Sequence, residues 1–110
     1  MSDLWFIANT NTVELSELTN DETGELLGAS YTVRMTMSKD GTEVAGQAWP
    51  LVLNYDNSDP AEPKFIGRGS HLLELIDYEE YDVKFEAFNA GDGVYGEWND
   101  VVTARIRGVK

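Results

Sequence analysis

Polar and apolar residues alternate along much of this chain with a period of two. From Ser30 to Ser38 the sequence reads S-Y-T-V-R-M-T-M-S, with Tyr31, Val33, Met35 and Met37 on one side and Thr32, Arg34, Thr36 and Ser38 on the other. Successive side chains of a strand point to opposite faces, so this spacing predicts a half-buried strand. Tyr81 to Asn89 repeats it: Tyr81, Val83, Phe85 and Ala87 alternate with Asp82, Lys84 and Glu86. Val102, Ala104 and Ile106 alternate with Thr103, Arg105 and Arg107, and Trp49, Leu51, Leu53 and Tyr55 with Pro50, Val52 and Asn54. Leu4 to Ala8 and Val13 to Leu18 predict weaker strands; Leu72 to Ile76 is nearly continuous apolar and its facing is open. Pro50 has no N–H for a ladder, which places it at a strand start or an edge.

Turn residues punctuate these runs: Asn20 to Gly24, Lys39-Asp40-Gly41-Thr42, Asp56 to Pro63, Asp77 to Glu80, and the glycine-rich Ala90 to Gly96. Asp-Gly tolerates positive φ, so Asp40-Gly41 predicts a hairpin. No window has a capped helical period. The pattern predicts seven or eight short strands in one domain over residues 1–110, an all-β, antiparallel two-sheet β-sandwich. Antiparallel pairing is expected because the connections are too short for crossover helices. Trp49, Tyr31, Met35, Met37, Phe85 and Tyr81 are the expected core, the methionines as gap-fillers rather than cofactor ligands.

Leu75 to Trp98 reads L-I-D-Y-E-E-Y-D-V-K-F-E-A-F-N-A-G-D-G-V-Y-G-E-W. This segment resembles the F-strand region of fibronectin type III and related immunoglobulin-like domains through Leu75, Tyr81, Val83, Phe85, Ala87, Asn89, Gly91 and Gly93. The resemblance implies a Tyr81 corner, with its ring buried and its hydroxyl bonded to nearby backbone. It implies nothing about activity. Residues 13 to 107 further resemble small β-sandwich proteins encoded among tailed-phage and prophage structural genes. The shared features are a T-G turn, an alternating strand, the G-T-E-V-A-G hairpin and the W-P-L strand. That resemblance implies a virion or assembly role and carries over no functional residues.

Charge changes the picture more than overall composition does. Eight Lys and Arg face twenty Asp and Glu, a net charge of −12. Such a surface repels phosphate backbones and anionic membranes, so no direct contact with nucleic acid or membrane is expected. The absence of cysteine excludes disulfides, thiolate metal sites and a cysteine nucleophile, and a single histidine excludes a multi-histidine metal centre. No apolar run reaches the roughly 20 residues of a membrane span, and Met1 to Trp5 has no signal-peptide character. The expectation is a non-enzymatic protein without a cofactor, cytoplasmic when synthesised and incorporated in a virion if the phage resemblance holds. Its partners would be proteins, other virion subunits among them, with homo-oligomerisation left open.

Candidate chemistry is sparse. Ser70-His71 pairs a nucleophile with a base on paper, but adjacent strand residues face opposite sides. Asp56-Asn57-Ser58-Asp59 and Asn20-Asp21-Glu22 resemble fragments of calcium loops, yet lack the full ligand pattern and are explained by turn chemistry. Glu74, Asp77, Glu79, Glu80, Asp82 and Glu86 form an acidic run with Lys84 as its only cation. It reads either as a nucleic-acid-mimic inhibitor surface or, preferably, as a solvated face that protects strand edges. Tyr78, Tyr95 and Trp98 flank turns and are the candidate interface residues, since aromatics at loops form protein hot spots or carbohydrate platforms. A carbohydrate-binding or adhesin-type module is the remaining alternative.

Overall fold

The computed structural model describes residues 3–16, 18–19, 24–28, 30–59, 61–89 and 93–106, with side chains left aside at Asp3 and 93–95. It contains eight strands: β1 (Asp3–Phe6), β2 (Thr12–Ser16), β3 (Tyr31–Lys39), β4 (Thr42–Glu43), β5 (Leu51–Asp56), β6 (Lys64–Arg68), β7 (Glu80–Asn89) and β8 (Gly93–Arg105). There is no helix among the described residues.

The alternating segments form the centre. In β3, Val33, Met35 and Met37 are almost fully buried, and β7 turns Tyr81, Val83, Phe85 and Ala87 onto the same core. The two pair antiparallel from Tyr31 opposite Asn89 to Ser38 opposite Asp82. Of the expected core, Tyr31 and Trp49 are half-buried and pack against it; the other four are buried. The Asp40-Gly41 turn forms as expected, both residues at positive φ, joining β3 to β4. Tyr81 makes the corner: its buried hydroxyl accepts a hydrogen bond from the Ile76 N–H at 2.9 Å.

The strands run β1-β8-β7-β3-β5-β6-β2 along one continuous hydrogen-bonded path, with β4 on β3. The expectation of two separate antiparallel sheets needs correcting on two points. β5 joins what would be separate layers: Leu51 and Leu53 pair with β3, whereas Asn54, Tyr55 and Asp56 pair with β6. The sheet is also mixed, because β1 lies parallel to β8. These two strands stand at opposite ends of the chain, so no short connection constrains their direction.

Individual elements differ from expectation for visible reasons. Lys64–Arg68 is a strand that no alternation announced. Its buried positions are Phe65 and Gly67, followed by buried Gly69 just beyond the strand. A methyl at Gly67 would meet Leu53, and one at Gly69 the Trp5 indole, so neighbouring side chains fill the space above each glycine. Leu72 to Ile76 buries Leu73 and Leu75 and exposes Leu72 and Ile76, yet joins no ladder; Glu74 N donates instead to the Ala45 carbonyl. β8 begins at Gly93, inside the stretch read as a glycine turn, and carries a bulge at Tyr95 because Ala87 faces Gly96 and Phe88 faces Val94. Pro50 immediately precedes β5, after a cis Trp49–Pro50 bond. Most of the turn expected at Asn20 to Gly24 lies outside the described residues.

Candidate functional site

The curled sheet leaves a cleft of about 400 Å³ between its two terminal strands, β1 and β2. Its floor is made of inward-facing side chains: Met35 from β3, Val83 and Phe85 from β7, and Trp98 and Val102 from β8. Trp98 is half-buried and stacks on Phe85, ring centroids 5.3 Å apart at 21°.

The walls are strand edges. Thr12, Val13, Glu14 and Leu15 all line the cleft, as do Leu4 and Trp5. Consecutive strand residues face opposite sides, so a run of four can line one space only along the strand's backbone edge. The hydrogen-bond phase agrees. Gly69 N donates to the Asn11 carbonyl, and the register sets Val13 opposite Gly67 and Leu15 opposite Phe65. Odd-numbered residues of β2 therefore bond to β6, and Thr12, Glu14 and Ser16 turn their main-chain groups to the open edge. The Glu14 carboxylate is occupied elsewhere, 2.7 Å from the Lys64 ammonium, whose pKa that hydrogen bond raises. On β1, Ile7 N donates to the Arg105 carbonyl, so Leu4 and Phe6 turn theirs outward. The Asn11 side chain takes both groups of Phe6, at 2.9 and 3.0 Å. Leu4, 54% exposed, keeps its amide and carbonyl facing the cleft.

A second exposed surface lies at the start of β7. Ile76, Tyr78 and Ile106 are each more than 60% exposed. Arg105 anchors Tyr78 and its neighbour Asp77: its Nε donates to Asp77 Oδ1 at 3.0 Å, Nη2 donates to the Tyr78 hydroxyl at 3.0 Å, and its guanidinium lies 4.0 Å from the Tyr78 ring centre. Tyr78 adopts φ +69°, a left-handed conformation that is costly for a bulky residue and is held here by these contacts.

The three expected interface aromatics are thus not one site. Tyr78 N bonds the Ala104 carbonyl, while Trp98 lies opposite Phe85. Six residues of β8 separate those levels, roughly 20 Å at the usual strand rise. Trp98 lines the cleft, Tyr78 caps the far end, and Tyr95 occupies the bulge with its side chain outside the described part. Leu4, Trp5, Val13 and Leu15 were not singled out by sequence, because which edge stays open depends on pairings distant along the chain.

The other candidates resolve locally. Ser70 and His71 lie in a turn rather than a strand, and Ser70 Oγ accepts from Leu72 N at 3.0 Å. Asp56 and Asp59 accept from Ser58 N and Ala61 N, and the Ser58 bonds lower the Asp56 pKa. No group of three or more His, Asp or Glu among the described residues is placed to hold a metal ion. The part of the acidic run on β7, Glu80, Asp82 and Glu86, does not guard an edge, because β7 is flanked by β3 and β8. Asp77, Glu79 and Glu86 pair with Arg105, Lys39 and Arg34 at 3.0 to 3.1 Å, so half of the run's carboxylates are partly neutralised. No protein family matches the chain, and neither a curated protein nor a solved structure does.

Proposed function

We propose that this chain is a non-catalytic binding or structural domain that engages protein partners at the cleft between β1 and β2. One observation carries the reading: two strand edges, at Leu4 and at Thr12 to Leu15, border an apolar floor containing a half-buried tryptophan. Open strand edges pair with other chains, and aromatic anchors supply interface energy. An immunoglobulin-like or fibronectin-III-like assignment is supported by the buried Tyr81 corner, the β7–β8 hairpin with β3 beside it, and the β2–β6 pair. A virion-assembly setting, in a head, tail or baseplate, rests on the sequence resemblance of residues 13 to 107.

The test is site-specific photo-crosslinking in producing cells, with the photoreactive residue at Leu4 in the cleft or at exposed Val52 in β5. A defined protein adduct from Leu4, absent from Val52 and lost on Leu15→Glu in a folded variant, is the expected result. Equal or absent adducts at the two positions overturn the reading.

A further inference from the structure

We infer that the cleft takes an extended segment of a different protein, one that alternates apolar with basic side chains and adds as a strand to the open edge of β2. This inference rests on the cleft being a protein-binding site and names what fills it.

Three features select that occupant. Thr12 and Glu14 are exposed, and their main-chain groups turn away from the β2–β6 ladder toward the cleft, an open strand edge whose N–H and C=O spacing an added strand matches. The floor of Met35, Val83, Phe85, Trp98 and Val102 lies to one side of that edge, so every second side chain of an added strand would rest on it. Among the described residues no Lys, Arg or His lines the cleft, whereas Asp100 does, as does Glu14 with its carboxylate paired to Lys64, on a chain of net charge −12. The net negative charge favours an incoming strand whose outward, solvent-facing side chains are basic, and it disfavours a second copy of this acidic chain. The register fixes the point of attachment: the Thr12 and Glu14 amides are free of the β2–β6 ladder, whereas those of Val13 and Leu15 belong to it.

The experiment titrates the protein with a short peptide of about seven residues alternating Lys and Val, long enough to span β2. Tryptophan emission and calorimetry report binding. Companion probes are the same peptide N-methylated at alternate amides, in either phase, and one with Glu in place of Lys. Glu14→Pro removes one edge amide while sparing the β6 ladder, and circular dichroism checks its fold. The expected result is saturable binding of the Lys-Val peptide that weakens with salt. Binding should weaken at least tenfold in Glu14→Pro and in one N-methylated phase, and the Glu peptide should not bind. Undiminished binding by Glu14→Pro, or by both N-methylated phases, overturns strand addition. So does preference for the Glu peptide, or a dimer in light scattering that Glu14→Pro abolishes. If no peptide binds while the Leu4 adduct still forms, strand addition fails and the protein-binding reading stands; if both are absent, both fail.

Discussion

Asn11 holds Phe6 by both of its backbone polar groups. Its Oδ1 accepts from the Phe6 N–H at 2.9 Å, and its Nδ2 donates to the Phe6 carbonyl at 3.0 Å and to the Asn9 carbonyl at 3.2 Å. One side chain thus takes the place of a strand residue at the corner where β1 leads into β2, and it pins one end of the cleft. Asn11→Ala removes two hydrogen bonds to the Phe6 backbone and should cost about 1–3 kcal/mol, since both bonds are partly buried. Asn11→Asp retains the acceptor and loses the donor, so its denaturant midpoint should fall between wild type and Asn11→Ala.

Removing the Tyr81 hydroxyl tests the corner separately from the ring. Tyr81→Phe leaves the Ile76 N–H without its acceptor while the ring still fills the core. A loss of about 1–2 kcal/mol is expected with an unchanged fold, read from urea denaturation and circular dichroism.

Gly69 seats the Trp5 indole, which a methyl at that position would strike. Gly69→Ala should destabilise by about 1–3 kcal/mol through overpacking. Because Trp5 borders the cleft, tryptophan emission should shift in the folded variant as well, which separates displacement of the ring from a general loss of stability.

Tyr78 combines an uncommon backbone with an exposed ring. Tyr78→Asn relieves the left-handed strain, since Asn tolerates that region, and gives up the Arg105 stacking. The terms oppose each other, each about 0.5–1 kcal/mol. Stability should therefore change by less than about 0.5 kcal/mol, as for most surface substitutions. Chemical denaturation checks this, and any loss of partner contact in the same variant would then report on the surface and not on folding.

Asp56 and Lys64 contribute to the pH response with opposite sign. The Asp56 pKa is lowered, first by the Ser58 N–H and then by its hydroxyl. Its stabilising effect is present above the unfolded value of about 3.9 and disappears as pH falls through the lower folded value. The difference in stability between wild type and Asp56→Asn should therefore be constant near neutrality and vanish in acid. The Lys64 pKa is raised by its hydrogen bond to Glu14. Its effect is present below the unfolded value of about 10.4 and is lost as pH rises through the folded value. The difference between wild type and Lys64→Met should vanish in base. Denaturation midpoints across pH check both.

The alternation in Tyr31–Lys39 and Glu80–Asn89, the Asp40-Gly41 turn and the position of the Tyr81 corner could all be read from the chain. Each follows from local geometry: strand side chains alternate, Asp-Gly accepts positive φ, and a tyrosine just before a buried run has backbone within reach of its hydroxyl. What only the tertiary structure decided is long-range. Glycines in and just after β6 hide a strand because Leu53 and Trp5, distant in sequence, supply the bulk above them. β1 parallel to β8 joins the two ends of the chain, and β5 divides its pairing between β3 and β6. The cleft follows from these pairings. A residue's inward or outward facing is written in its neighbours at i±1 and i±2, but whether its backbone edge is satisfied depends on which remote strand arrives beside it. At Leu4, Thr12 and Glu14 the described chain brings none.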